Sequence, residues 1–216
     1  MFEKIISNIS TIVVGNSEKI KLTLAAIVSE GSILIEDYPG SGKTTFAKAI
    51  TQSLGLNFKR VQFTSDLLPS DILGFNIFLD GKLNFQKGPI FTNIVLADEL
   101  NRGSPKSQSA FLEAMEEKKV SIDGISHSLP EPFFVIATQN PMDSSGTSSL
   151  PDSQLDRFMI SYSLSDLNDE DKIEMLKKEI NFDQQNSESI DWQKVKQTKN
   201  AITVKDEIYK YVVSIE

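Results

Sequence analysis

Cysteine is absent from this 216-residue sequence, and histidine and tryptophan occur once each. Without cysteine the chain cannot form disulfides, thiolate metal sites or thiol nucleophiles. The absence also fits a reducing compartment. Because the one histidine, His127, has no cluster of ligand residues around it in the sequence, we expect it at the surface and expect no metal held by protein side chains alone. A chain of this length can still bury about 70% of its unfolded surface, which is enough for a hydrophobic core.

Long hydrophobic runs and excess positive charge are also missing. No stretch approaches the roughly 18 consecutive apolar residues that a membrane-spanning helix needs. The N-terminal apolar run is interrupted by Ser7, Asn8 and Ser10, unlike that of a signal peptide. We therefore expect a cytoplasmic protein without a membrane span. The net charge of -8 argues against a surface that coats nucleic acid.

The hydrophobic pattern predicts an α/β protein, because short apolar runs alternate with amphipathic helical segments. Strands are predicted at residues 32–36, 58–63, 93–98, 133–138 and 157–163. Helices are predicted at residues 16–29, from a glycine loop to residue 54, and from residue 104 to residue 117. Ser104 and Pro105 would be the N-cap and first-turn pair of the last of these. The pairs Asp80-Gly81 and Asp123-Gly124 predict two β-hairpins inserted into a parallel sheet flanked by helices.

The composition changes after residue 163. Residues 164–191 hold nine acidic and three basic side chains, which is typical of a solvated helix face. A helix is predicted there, with an acidic first turn at Asp169 and lysines at its end. Thr203 and Asp206 match a capping box in front of a further amphipathic helix. The sequence therefore predicts one unit over residues 1–163 and a helical part over residues 164–216.

The strongest chemical signal is the segment Asp-Tyr-Pro-Gly-Ser-Gly-Lys-Thr at residues 37–44. Glycines let backbone N–H groups approach phosphates, and the helix N-terminus behind them adds partial positive charge. Gly40 and Gly42 meet this need. Lys43 supplies a charge for the β and γ phosphates of a nucleotide, and the Thr44 hydroxyl can bind Mg²⁺. The alternative, a glycine turn with an incidental lysine, does not explain why the segment lies between a strand and a helix.

An acidic pair, Asp98 and Glu99, follows the predicted strand at residues 93–98. The carboxyl ends of parallel strands are where ligands bind in open α/β sheets. Asp98 can hold Mg²⁺ through a water molecule, and Glu99 can orient or deprotonate an attacking water. A solvated turn would explain the pair by itself, but not the pair together with the upstream phosphate loop.

Two single residues are further candidates. Asn140 ends a second buried strand and could hydrogen-bond the γ-phosphate or the attacking water, although Asn before Pro141 is also a common turn former. Arg157 lies where a helix meets a strand and could neutralise transition-state charge. The alternative for Arg157 is a surface ion pair with Asp152 or Asp156.

These residues resemble the MoxR branch of the AAA+ ATPases, and the resemblance runs nearly continuously from Val14-Gly15 to Ser163. The segments that carry it are residues 36–44, 60–64, 66–71, 88–91, 97–102, 107–116, 133–141 and 150–158. An acidic residue at the first position of the phosphate loop is common in this branch, so Asp37, which stands where the general pattern has glycine, supports the resemblance.

The resemblance implies a P-loop NTPase fold of the AAA+ type and Mg²⁺-dependent hydrolysis of ATP in a hexameric ring, with each nucleotide between two subunits. The implied nucleotide-binding residues are Val14, Gly15, Pro39, Gly40, Ser41, Gly42, Lys43, Thr44 and Thr45. The implied metal ligands are Thr44 and Asp98. The implied catalytic residues are Glu99, Asn140 as sensor 1, and Arg157 as an arginine finger that acts in trans. Arg102 fits an interface role or an ion pair equally well, and Arg60 is expected to lean on the sheet without a chemical role.

Family members are thought to act as chaperones on partner proteins, often ones with von Willebrand A domains, so the resemblance implies a client protein. Two alternatives stay open. A motor that translocates nucleic acid would need basic pore hairpins, for which the chain offers Lys82, Lys87, Lys118 and Lys119. A nucleotide-gated scaffold would bind ATP without hydrolysing it.

The sequence departs from the family in two places. The loop at residues 142–149 is unusually rich in serine. A helical lid with a sensor 2 arginine should follow the core, yet the 53 residues after Ser163 contain no arginine. We therefore expect an incomplete lid, either because the chain has been cut or because the lid itself is shortened, and a chain that is mostly monomeric and slow at turnover. Analytical ultracentrifugation with ATP tests this expectation.

Overall fold

A computed structural model describes residues 2–79, 81–141, 150–177 and 190–215. Its central sheet has five parallel strands in the order β2-β5-β8-β1-β9. In that order the strands are β2 (Phe58–Gln62), β5 (Ile94–Asp98), β8 (Phe134–Gln139), β1 (Ile33–Glu36) and β9 (Ile160–Tyr162). The predicted parallel sheet is confirmed. The predicted strand at residues 157–163 is shorter than expected, because the backbone N–H groups of Arg157 and Phe158 still bond to the preceding helical turn.

Helices pack on both faces of this sheet, and further helices follow its last strand. They are α1 (Phe2–Ser10), α2 (Ser17–Val28), α3 (Lys43–Ser53), α4 (Pro69–Leu73), α5 (Pro105–Glu117), α6 (Asp152–Leu155), α7 (Asp169–Lys177), α8 (Trp192–Asn200) and α9 (Asp206–Val213), with a 3₁₀ turn at Leu100–Arg102. The predicted cap of α5 is confirmed, since Ser104 Oγ accepts from the Ser107 N–H over 3.2 Å and Pro105 is the first helical residue. The predicted capping box of α9 is wrong, because its N-cap is Lys205 and Asp206 already lies inside the helix.

Alternating strand residues build two hydrophobic cores, one on each face of the sheet. Ile33, Ile35, Leu96 and Ile136 pack with α1, α2 and α3. Their sequence neighbours on the same strands point to the other face and pack with α4 and α5; they include Leu34, Val95, Ala97, Val135 and Ala137. The period of two that predicted strands from the sequence is thus the alternation between these two cores.

Two hairpins project from the core, as predicted. They are β3 (Gly74–Leu79) with β4 (Lys82–Lys87), and β6 (Lys119–Ile122) with β7 (Ile125–Ser128). Asp123 and Gly124 have φ angles of 50° and 79°, as a two-residue hairpin turn with a left-handed backbone requires. Asp80, in the turn of the other hairpin, lies outside the described residues, as do Lys178 and the serine-rich loop at 142–149.

The hairpins contact each other. The ring of His127 stacks on Phe85 with centroids 4.0 Å apart, and Asn76 Nδ2 donates to Asp123 Oδ2 over 2.7 Å. The histidine expected at the surface is therefore partly covered. Within the described ranges, the helices are too short or too polar to cross a membrane.

Candidate functional site

Three candidate segments converge at the carboxyl edge of the sheet. The phosphate loop follows β1, the acidic pair ends β5, and Asn140 follows β8. Strand β8 lies between β5 and β1, so the order of strands sets Asn140 between the loop and the acidic pair. Residues predicted from separate stretches of sequence are brought to one edge by the parallel register.

The phosphate loop has the backbone that its glycines predict. Gly40 and Gly42 have φ angles of 88° and 84°, in the left-handed region that other residues rarely adopt. Apart from the adjoining residues, no atom of the described chain lies within 4 Å of where a Cβ would sit on either glycine, so the loop backbone faces open space. Helix α3 begins at Lys43, directly behind the loop. The loop thus presents an open cradle at a helix N-terminus, which fits a phosphate chain.

The Lys43 side chain folds back over the loop. Its Nζ donates to the backbone oxygens of Asp37 at 3.1 Å and Tyr38 at 2.6 Å, and to Ser41 Oγ at 3.2 Å. Burial lowers the pKa of Lys43, and the nearby charges of Asp37, Asp98 and Glu99 partly oppose this shift. These acceptors are neutral, so an anionic phosphate would compete for the ammonium group effectively.

Asp98 is buried, and both of its carboxylate oxygens are engaged. Thr138 Oγ1 donates to Oδ1 over 2.7 Å, while Arg60 donates to Oδ2 through Nε at 2.9 Å and Nη2 at 2.6 Å. The same Thr138 oxygen accepts from the Glu99 N–H at 2.9 Å. Thr138 is fully buried and therefore fixes the acidic pair from the neighbouring strand.

Glu99 has a left-handed backbone, with φ 54° and ψ 49°. A non-glycine residue in this region is strained, and such strain is concentrated at functional sites. Its Oε2 accepts from Gln62 Nε2 at 2.8 Å and from Arg102 Nη1 at 3.0 Å. The ion-pair reading of Arg102 therefore describes one of its contacts, and the carboxylate of Glu99 is turned toward β2.

The sequence interpretation missed Arg60, Gln62 and Thr138. Arg60 was expected to lean on the sheet without chemistry, yet its guanidinium binds Asp98. The signal was the period of two that puts Arg60 and Gln62 on one face of β2. It becomes informative only once β2 is known to pair with β5, where Gln62 is in register with Asp98.

Val14 and Gly15, the implied adenine corner, lie just before α2, and two side chains that follow β9 approach Gly15 closely. A Cβ on Gly15 would come within 2.6 Å of both Leu167 Cδ2 and Asp171 Oδ2. Only glycine permits this approach, since its φ is also 71°.

Arg157 lies away from the other candidates. The next residues join the amino end of β1, where the Met159 N–H bonds to Ser32 O at 2.8 Å, whereas the phosphate loop follows the carboxyl end of that strand. Arg157 Nη1 lies 3.5 Å from Glu116 Oε2 on α5, and among the described residues it pairs with neither Asp152 nor Asp156. Arg157 and Lys43 therefore lie at opposite ends of the parallel strands.

Side-chain oxygens at this end of the sheet are candidate ligands for an Mg²⁺ ion shared with a substrate. Within the described ranges, no group of three or more His, Asp or Glu side chains could hold a metal ion alone. Mg²⁺ is usually held by one or two protein oxygens together with waters and substrate phosphates. Thr44, the second residue of α3, and Asp98 offer that minimal set at one edge of the sheet.

Comparisons with known proteins agree with this geometry. Residues 32–160 match the family described as ATPase family associated with various cellular activities (AAA). The chain is 51% identical to the uncharacterized protein YeaC of Bacillus subtilis, over 72% of this chain and 49% of that protein. It is 42% identical to Chaperone MoxR1 of Mycobacterium tuberculosis, over 73% of this chain and 42% of that protein. The chain thus spans about half the length of these curated relatives.

A solved structure of a candidate ATPase from Cytophaga hutchinsonii has a TM-score of 0.87 and 37% identity to this chain, covering 99% of this chain and 67% of that one. The family match covers more than half of the present sequence. Relatives that carry the MoxR name match about 70% of it. The chain therefore belongs to the MoxR family of AAA+ ATPases.

Proposed function

We propose that the chain binds Mg²⁺ and ATP at the carboxyl edge of its sheet and hydrolyses ATP to ADP and phosphate. The observation that carries this proposal is the open phosphate loop at the same end of the sheet as the hydrogen-bonded acidic pair, of which Asp98 is buried. In this assignment the loop residues Pro39–Thr45 bind the phosphates and the corner at Val14 and Gly15 receives the adenine. Thr44 and Asp98 hold the metal ion, which neutralises phosphate charge when bound.

Glu99 is the group that orients or deprotonates the attacking water, and Asn140 contacts the γ-phosphate or that water. In the structure Gln62 and Arg102 both hold the carboxylate of Glu99. Glu99 must therefore leave at least part of this arrangement before it can act on water. The hydrogen bonds to Glu99 make this a resting arrangement of the site.

We further propose a ring, hexameric by family resemblance, in which Arg157 serves the site of the neighbouring subunit. The position of Arg157 at the amino edge supports this, because its own phosphate loop lies at the opposite edge. A heterologous interface joins opposite surfaces of successive copies, and it closes into a ring when the rotation allows.

In the proposed machine, residues 1–163 are the nucleotide-binding core and residues 164–216 are part of a helical lid. ATP turnover is coupled to remodelling of a client protein, possible clients being proteins with a von Willebrand A domain, in the cytoplasm. One relative is named a chaperone, which supports this class of function.

The contacts of the hairpin lysines give little support to the nucleic-acid alternative. Lys118 is paired with Glu30, Lys119 with Glu117, and Lys87 lies over the ring of Phe91. These contacts are within the chain, so they give no specific reason to prefer a phosphate backbone as partner. A measurement of ATP turnover tests the scaffold alternative, because a scaffold would bind ATP without hydrolysing it.

Three variants test the site. Lys43→Ala should lose ATP binding, whereas Glu99→Gln should bind ATP and lose turnover by about 10² to 10⁴ fold. Lys4→Ala, an exposed lysine on α1, is the matched control for the lost charge and should behave as wild type. Binding is measured with a fluorescent ATP analogue and turnover by phosphate release. Normal turnover in Glu99→Gln would remove Glu99 from its role, and ATP binding without turnover by the wild type would favour the scaffold.

A further inference from the structure

Asp37 is the residue in the phosphate loop that departs from the usual glycine, and its side chain is almost fully buried at 2% exposure. It is the first residue after β1, and its N–H extends the pairing with β8 by donating to Gln139 O at 3.1 Å. Its carboxylate points the other way, toward the chain that leaves β9. A buried carboxylate is costly unless hydrogen bonds compensate it.

Three donors from consecutive residues meet this carboxylate. Asp37 Oδ2 accepts from the Leu164 N–H at 2.6 Å, and Oδ1 accepts from Ser163 Oγ at 3.0 Å and from Ser165 Oγ. Ser163 Oγ also accepts from the Ser165 N–H at 3.1 Å. The carboxylate therefore holds residues 163–165 in a compact turn. Glycine at position 37 would leave these three donors without an acceptor.

This turn is the start of a segment that continues to the corner at Val14 and Gly15, where the adenine of the proposed nucleotide would lie. We call residues 163–171 the strap. Asp166 of the strap lies 3.3 Å from Lys19 Nζ on α2. Leu167 and Asp171 press against the backbone of Gly15. One end of the strap is thus fixed to the phosphate loop and the other covers the corner assigned to adenine.

We propose that Asp37 is a positioning residue that fixes the strap to the phosphate loop and so sets the spacing between the phosphate cradle and the base-side wall. The inference rests on the proposed nucleotide site and adds to it the group that aligns its two ends. A ligand that occupies both ends would gain from this alignment, whereas a ligand that occupies the cradle alone would not.

The size of the effect follows from the bonds that are lost. Hydrogen bonds to a charged acceptor are among the stronger ones in proteins. If the strap is already ordered before the ligand binds, binding does not have to supply the free energy of ordering it. Replacing Asp37 by Ala should weaken ATP binding about tenfold and change the binding of inorganic tripolyphosphate by less than about twofold. Asp37→Asn should fall between Ala and wild type, because its carbonyl can still accept from the Leu164 N–H while the serine hydroxyls can accept from its amide.

The experiment uses the 216-residue chain and two measurements. Competition against a fluorescent ATP analogue, in Mg²⁺, gives the affinities for ATP and tripolyphosphate. Hydrogen exchange followed by mass spectrometry, without nucleotide, reports protection of the strap amides. Asp37→Ala should speed exchange at residues 163–171. Ser161→Ala is the matched control, since Ser161 is an exposed residue of β9 and donates to Glu36 at 2.6 Å instead of to Asp37.

Two results would overturn the inference without overturning the proposed nucleotide site. One is unchanged strap exchange or unchanged ATP affinity in Asp37→Ala. The other is an equal loss of ATP and tripolyphosphate affinity, which would make Asp37 part of the cradle only. If Asp37→Ala does not fold, the double variant Ser163→Ala, Ser165→Ala removes two donors and is held to the same two criteria. A wild-type chain that binds no ATP would overturn the proposed function and this inference together.

Discussion

Gln62 Nε2 donates a hydrogen bond to Glu99 Oε2 over 2.8 Å, across the pairing of β2 and β5. The carboxylate assigned to activate water is therefore held by an adjacent strand. Gln62 is itself oriented, because its Oε1 accepts from Arg60 Nη2 at 2.6 Å. The link places the Glu99 carboxylate and the Arg60–Asp98 ion pair in one hydrogen-bonded network.

Replacing Gln62 by Leu should raise ATP turnover about threefold without changing ATP affinity. The variant removes one of the two contacts that hold the Glu99 carboxylate in its resting position, and Arg102 retains the other, so the gain is less than a full charged hydrogen bond would give. Phosphate release at saturating ATP measures it. Gln52→Leu, at an exposed position on α3, is the control. Equal or slower turnover in Gln62→Leu would show that this contact supports the active geometry.

Replacing Thr138 by Val should destabilise the chain by about 1 to 3 kcal/mol. Valine has nearly the same shape but leaves Asp98 Oδ1 without its donor at a buried position and the Glu99 N–H without its acceptor at a partly buried one. Urea unfolding measures the loss. Thr138→Ser keeps the hydroxyl and should lose less, so equal destabilisation of the two variants would point to the methyl group instead.

Much of this site could be predicted because its signals are local. The glycine loop, the acidic pair and the Asp123-Gly124 turn each depend on a few neighbouring residues. Arg60 and Thr138 could not be assigned, because their roles depend on the strand order β2-β5-β8, which brings together residues about 40 positions apart. Asp37 shows the same limit, since its three donors are 126 to 128 residues away.

Glu30 should make stability depend on pH in the acid range. It accepts from Lys199 at 2.8 Å and Lys118 at 3.0 Å, and these hydrogen bonds, that of Lys199 foremost, lower its pKa from 4.5 to about 2. Because the folded pKa lies below the unfolded one, the stabilisation is present above about pH 4.5 and is lost as the pH falls toward 2.

Glu30→Gln should therefore lower the free energy of unfolding at pH 7 by about 1 kcal/mol, a value kept small because the side chain is partly exposed. The difference from wild type should shrink between pH 4.5 and pH 2, as urea unfolding at several pH values would show. Glu18→Gln, which breaks an exposed pair with Lys21, is the control. A difference that stays constant with pH would contradict the ionic origin.

The same variant should also loosen the docking of α8, because Lys199 lies on that helix. The fluorescence of Trp192, the one tryptophan, which begins α8, measures this change.

Mixing two inactive variants should restore ATP turnover if Arg157 acts on a neighbouring subunit. Arg157→Ala keeps its phosphate loop and lacks the finger, whereas Lys43→Ala keeps the finger and lacks a functional loop. In a ring with heterologous interfaces, an equal mixture places an intact loop beside an intact finger at about one quarter of the interfaces. Phosphate release should rise to roughly that fraction of the wild-type rate at the same protein concentration, and the rate per site should fall on dilution.

Full activity of Arg157→Ala alone would exclude the finger role. At a protein concentration where ultracentrifugation shows that the wild type assembles, a mixture no more active than its components would contradict action in trans, because Arg157 and Lys43 lie at opposite ends of the parallel strands and only a second copy can bring such groups together.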